Sequence, residues 1–247
     1  NDSLTLTAGN SAFGYRPILY GASLPAATGN NYGIDVSKKT AINFLDIRGY
    51  SVSGTGRGIW EEGLTNASVF HHLTFDSNSV GIWVSSVAGG VNDSILNCTF
   101  DGGSLLSSDG IYVATSTGKD IVIKNNIFCN SNRGIYTGDT LQVLEAYNDF
   151  WNVTDNIVAN GPVVGEYYPT PAATDIVDVW PSIRSVSAND YRLTPYSRLI
   201  NRGTIIPGLS YLQSAPDVGA WEVLKWRKLP VMTAYGRGAF AGEAYAR

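Results

Sequence analysis

Apolar residues in this chain fall in short runs separated by Gly, Asn and Ser, and between residues 31 and 150 the runs are of two alternating kinds. The first follows a glycine: YGIDV, RGIWE, VGIWV, DGIYV and RGIYT, with glycines at 33, 58, 81, 110 and 134 and spacings of 25, 23, 29 and 24. The second ends in an aromatic: VFHHLTF to Phe75, SILNCTF to Phe100, IVIKNNIF to Phe128 and LEAYNDF to Phe150, at spacings of 25, 28 and 22. Two interleaved strand motifs sharing a period of about two dozen residues predict a solenoid, each coil holding at least two short strands with Gly and Asn at its corners. Helical periodicity is absent from this region.

Because side chains alternate along a strand, each repeat position stacks on its equivalent in the next coil, about 4.8 Å away. Ile34, Ile59, Ile82, Ile111 and Ile135 follow the repeat glycines and are expected to face the core. The next residue must face out, and it is Asp35, Trp60, Trp83, Tyr112 and then Tyr136. Four consecutive coils thus place an aromatic on one outer face. An exposed apolar stripe has no folding role in a monomer, so it reads either as a surface for sugar rings or as a face covered by a terminal segment or a neighbouring subunit. Two residues before the second motif's aromatic stand Leu73, Cys98, Asn126 and Asn148, an inward position where Asn is expected to form an amide ladder.

The stretch KDIVIKNNIFCNSNRGIY resembles the repeat of right-handed parallel β-helix proteins, the pectate-lyase-like superfamily of pectate lyases, polygalacturonases, alginate epimerases and many phage tailspikes. YNDFWNVTDN, DIVDVWPSI, NDYRLTPYSRLINRGT and APDVGAWE follow the order found at the C-terminal end of many secreted bacterial β-helix proteins. The resemblance implies an all-β, single-stranded right-handed parallel β-helix. On this reading residues 1–152 form the coils, 153–222 a loop-rich closing segment and 223–247 an extended arm. The arm carries Trp226, Tyr235, Phe240 and Tyr245 among small residues. It cannot build its own core, so it is expected to lie on another surface as an assembly arm.

Lyases resembling this fold use acidic calcium ligands with a Lys or Arg base, and the related hydrolases use Asp clusters as general acid and base. This chain lacks the Asp-Asp, Gly-His-Gly, Arg-Ile-Lys and Asp-Pro-His-Asp signatures. Its weak catalytic candidates are Asp35, Glu62 and Asp109, with Glu62 expected outward and near Asp35. No cofactor is expected, calcium being the one ion the resemblance would bring. His71 and His72, the only histidines, are adjacent in a strand motif and are expected on opposite faces, badly placed to share a metal. Arg133 and Asp109 on successive coils read as a surface ion pair, and a bridge between Cys98 and Cys129 is not expected.

Charged residues make up 15% with a net charge of −4, which supplies no basic field for nucleic acid. No apolar run is long enough to span a bilayer. The only methionine is Met232, so residue 1 is not an initiator and a cleaved precursor is one expected origin. The expected function is a non-catalytic extracellular or virion-surface structural protein that forms a homo-oligomer, meets another assembly partner, or contacts polysaccharide through the stripe. The alternative is a lyase or epimerase acting on uronate polymers.

Overall fold

The structure, a computed structural model, describes residues 4–7, 16–21, 31–51, 56–62, 67–85, 87–88, 93–103, 107–114, 116–117, 121–138, 143–161 and 165–223. Three sheets run its length as a parallel β-solenoid. Sheet 1 takes Leu4–Thr7, Thr40–Asn43, Val69–His71, Ser94–Leu96, Ile121–Lys124 and Val143–Ala146. Sheet 2 takes Ile18–Tyr20, Asp46–Arg48, Thr74–Asp76, Thr99–Asp101, Ile127–Cys129, Asp149–Trp151 and Ile176–Val177. Sheet 3 takes Asn31–Val36, Gly56–Glu61, Val80–Val84, Asp109–Val113, Arg133–Thr137 and Asp155–Gly161, with Gly165–Tyr167 added antiparallel at its end. The coil stack therefore continues past Asn152, where the sequence pattern loses its aromatic repeat but not its strands.

The two sequence motifs turn out to be one steric device. Phe75, Phe100, Phe128 and Phe150 stack inside sheet 2 with centroids 4.8–5.0 Å apart. Their rings lie against the repeat glycines of sheet 3: a Cβ on Gly110 would sit 2.5 Å from the Phe128 ring and 2.7 Å from the Gly134 carbonyl. Glycine is needed there because the aromatic ladder occupies the space of a side chain. Ile59, Ile82, Ile111 and Ile135 beside it are fully buried, while Ile34, at the start of the stack, is half-buried.

Sheets 1 and 2 meet at a two-residue corner whose first residue is left-handed: Phe44, His72, Asn97, Asn125 and Tyr147, with φ between 49° and 60°. That conformation, easiest for Asn, folds the chain without a glycine. The second corner residue points inward, and hydrogen bonds run from each coil to the one after it. Cys98 N–H donates to Asn126 Oδ1 at 2.8 Å, Asn126 N–H to Asn148 Oδ1 at 3.0 Å, and Asn148 N–H to Asp175 Oδ1 at 2.7 Å. The expected amide ladder is present. Tyr50 N–H donates in the same sense to Asn78 Oδ1, and Ser68 N–H to Asp93 Oδ1.

Residues 178–223 form a strap over the outer face of sheet 2. Ile127 and Cys129, outward on that sheet, join Ile183, Tyr191, Leu193, Leu199 and Val218 in a second apolar cluster. Polar bonds fix the strap's path. Tyr191 Oη donates to Asp101 Oδ2 at 2.8 Å, Ala220 N–H to Thr99 Oγ1 at 3.0 Å, and Gly219 N–H to the Asn125 carbonyl at 2.7 Å. The arm residues Trp226, Tyr235, Phe240 and Tyr245 lie outside the described residues.

Candidate functional site

Parallel pairing in register places Asp35, Trp60, Trp83, Tyr112 and Tyr136 side by side on the outer face of sheet 3. Their rings stack: Trp60 on Trp83 at 5.5 Å, Trp83 on Tyr112 at 3.8 Å, and Tyr112 beside Tyr136 at 4.8 Å. Tyr32 extends the stack, its ring 5.7 Å from that of Trp60. Tyr32 precedes its glycine rather than following the Ile, and sequence reading missed it for that reason. The guanidinium of Arg57 lies 4.2 Å from the Trp60 centroid and 4.1 Å from that of Trp83, and Arg133 lies 3.9 Å from Tyr136. Planar side chains one strand apart meet face to face, so ring faces are turned largely toward one another and toward the two cations. What the stripe offers outward is mainly ring edges. Trp60, Trp83 and Tyr112 are half-buried, Tyr136 is buried, and burial raises the Tyr112 phenol above its usual pKa.

The weak catalytic candidates do not converge. Asp35, on the first strand of sheet 3, and Glu62, just past the end of the second, are exposed, with Glu62 N–H donating to the Val36 carbonyl. Asp109 stands two strands beyond the second, about 10 Å along the stack at the strand spacing. There Arg133 grips it with two hydrogen bonds of 2.7 and 2.8 Å. The expected surface pair is instead sunk in the stripe, Asp109 being 5% exposed, because Arg133 lies flat on Tyr136 beside it. Burial pushes the Asp109 carboxyl up, against the pull of Arg133. Among the described residues no three His, Cys, Asp or Glu are grouped to hold a metal ion.

The histidines depart from expectation. His72 is the left-handed corner residue, not a strand residue, so its ring swings back and the two Nδ1 atoms approach to 2.9 Å. Burial, with Arg16 nearby, lowers His71 to about 4; burial, then His71 and Arg16, lowers His72 to about 3. Arg16, 6% exposed, donates to the carbonyls of His72 and Ala220 and lies 3.7 Å from the Trp221 ring, tying this corner to the strap. Cys98 and Cys129 are both free and buried, one in the core and one beneath the strap.

At the far end, an open cleft of about 350 Å³ lies between Tyr147, Thr174 and Asp175 on the last coil and Asn201, Arg202 and Val218 on the strap. Glu145 takes the inner position that Ile123 holds one coil earlier and accepts from Ala172 N–H at 2.7 Å. It closes the core with a polar plug. Burial, then the bond to Glu145, pushes the Asp175 carboxyl up. No family model, curated protein or solved structure matches the chain.

Proposed function

We propose that the chain is a non-catalytic extracellular or virion-surface structural protein of the pectate-lyase-like β-helix type, assembling with further copies through the outer stripe of sheet 3. The observation that supports this is the continuous ring stack from Tyr32 to Tyr136, half-buried and braced by Arg57 and Arg133. A rigid row of ring edges suits packing against a second protein face, where aromatic and Arg side chains concentrate. The arm, with Trp226, Tyr235, Phe240 and Tyr245, supplies a second assembly contact in this reading. Light scattering tests it. Trp83→Ala and truncation after Glu222 are each expected to lower the assembled mass while leaving a folded solenoid; an unchanged mass in both overturns assembly.

Glycan contact is the second reading, favoured by Tyr32, the end ring of the described stack. Its test is retention on immobilised polysaccharides, lost in Tyr32→Ala. The rival enzyme reading, a uronate lyase or epimerase, is promoted if unsaturated product forms from uronate polymers with calcium and disappears in Glu62→Gln or Asp109→Asn.

A further inference from the structure

Among the described residues, three acids at the boundary between the strap and the solenoid form no ion pair. Asp149 is the clearest case. It sits outward on sheet 2, between Ile127 and Ile176 in the strand register, at 0% exposure. Among the described residues neither of its carboxylate oxygens has a hydrogen-bond donor. A carboxylate buried without donor or counter-ion is too costly to keep charged, so the group holds its proton instead.

Two further acids stand along the same boundary, each accepting backbone N–H donors. Asp175 begins the approach to the strap and shares a hydrogen bond with Glu145. Among the described residues it also accepts from the N–H groups of Asn148 and Ala172. Glu222 ends the strap, 8% exposed, beside Asp217 and bonded to the Asp217 N–H.

We infer that residues 178–223 are a pH-gated strap, seated on sheet 2 while Asp149, Asp175 and Glu222 carry protons and released as these carboxyls ionise. Burial raises Asp149 to about 8 and, with Asp217, raises Glu222 to about 7; Asp175 is shifted the same way. With the strap released, Asp149 and Asp175 on the coil and Glu222 on the strap meet water and ionise near the ordinary carboxylate values of about 4. Seating therefore binds extra protons. Its stability is greatest in acid and falls as pH rises through the seated values, tenfold per pH unit for each group that stays protonated only when seated.

The other charged groups at this boundary do not reverse that sign above pH 6.5. Arg48 is paired with Asp46, and Arg192 with Asp190 on the strap's outer side. Asp101 holds Tyr191 and Asn130, with Asp76 next to it and Cys129 neutral nearby. Arg202 stands on the cleft rim by Asp175. Arg16 grips the strap at Ala220, and His71 and His72 behind it are neutral, seated or released, above about pH 6.5. Below that value the histidines oppose the carboxyls, so the strap is tightest in mild acid.

The two cysteines provide the test. Cys129 lies under the strap and Cys98 within the coil, both fully buried. A small thiol-alkylating reagent is applied to the full chain from pH 6.5 to 9, and the two sites are quantified by mass spectrometry. Taking the ratio of Cys129 to Cys98 labelling cancels the common pH dependence of thiolate chemistry. The ratio is expected to rise at least tenfold per pH unit between 6.5 and 8, then to flatten. Asp149→Asn, which cannot ionise, is expected to make that rise shallower by one proton. Glu222→Gln does the same for the lower part of the range, and carries the test if Asp149→Asn fails to fold. A constant wild-type ratio, or an identical slope in every folded variant, overturns the inference.

Discussion

Sheets 2 and 3 both carry apolar groups on their outer faces, and the protein covers them in different ways. On sheet 3 the covering is lateral: Trp60, Trp83, Tyr112 and Tyr136 shield one another, and each ring's partner comes from the neighbouring coil. On sheet 2 it is brought from far along the chain, as the strap lays Tyr191, Leu199 and Val218 over Ile127 and Cys129. A self-covered face repeats with the coil and leaves its edges open to a partner. A strapped face is closed, and whatever controls the strap controls access to it.

The widest gap should separate the core from either face. Phe128→Ala removes the middle of the inner stack, and about 3–5 kcal/mol of stability should go with it in urea denaturation. Trp83→Ala should cost less, about 1–3 kcal/mol, since it loses two stacked partners at about 0.5–1.5 each from a half-buried site. Equal losses would make the stripe part of the core and end its distinction from an inner ladder.

The acid limb of the stability curve should distinguish the corner from the strap. The folded histidines are depressed to about 4 and 3, so between pH 6.5 and those values the unfolded chain binds protons that the folded chain refuses. That contribution to stability is present above pH 6.5 and lost as pH falls, at about 1.4 kcal/mol per pH unit for each group, opposite in sign to the strap carboxyls. His72→Asn, which keeps a residue suited to the left-handed corner, should remove one such group and flatten the limb in acid titration followed by circular dichroism. An unaltered limb would mean that the corner does not titrate with folding.

Tyr191→Phe should have the smallest effect, about 1 kcal/mol. It deletes the bond to Asp101 while leaving the ring in the strap cluster. Its signature should be faster alkylation of Cys129 at neutral pH with labelling of Cys98 unchanged; equal acceleration at both sites would mean that strap and coil open together.

The solenoid was legible because its determinants repeat. The Gly-Ile motif and the Phe motif recur once per coil, and so do the inward position of Asn126 and Asn148 and the outward position of Trp60 to Tyr136. What the repeat could not convey is how equivalent side chains settle against each other. Alternation assigns a ring to a face, but ring faces turned toward neighbours and Arg57 lying against two stacked indoles are consequences of packing. The histidine contact escaped for a related reason: a left-handed residue at position 72 breaks the alternation that placed the two rings on opposite sides. The strap boundary was least legible. Asp149 is fully buried between Ile127 and Ile176, which lie on the strands before and after its own, and nothing near it in sequence marks it so.

At five corners a backbone N–H on one coil donates to a side chain on the coil that follows: Tyr50 to Asn78, Ser68 to Asp93, Cys98 to Asn126, Asn126 to Asn148, and Asn148 to Asp175. This gives the stack a direction in time as well as in space. During synthesis a coil leaves the ribosome with its corner amide unsatisfied and becomes locked only when the next coil has emerged. A stalled or shortened product therefore always carries one loose final turn, and ordering should advance about one coil behind the growing end.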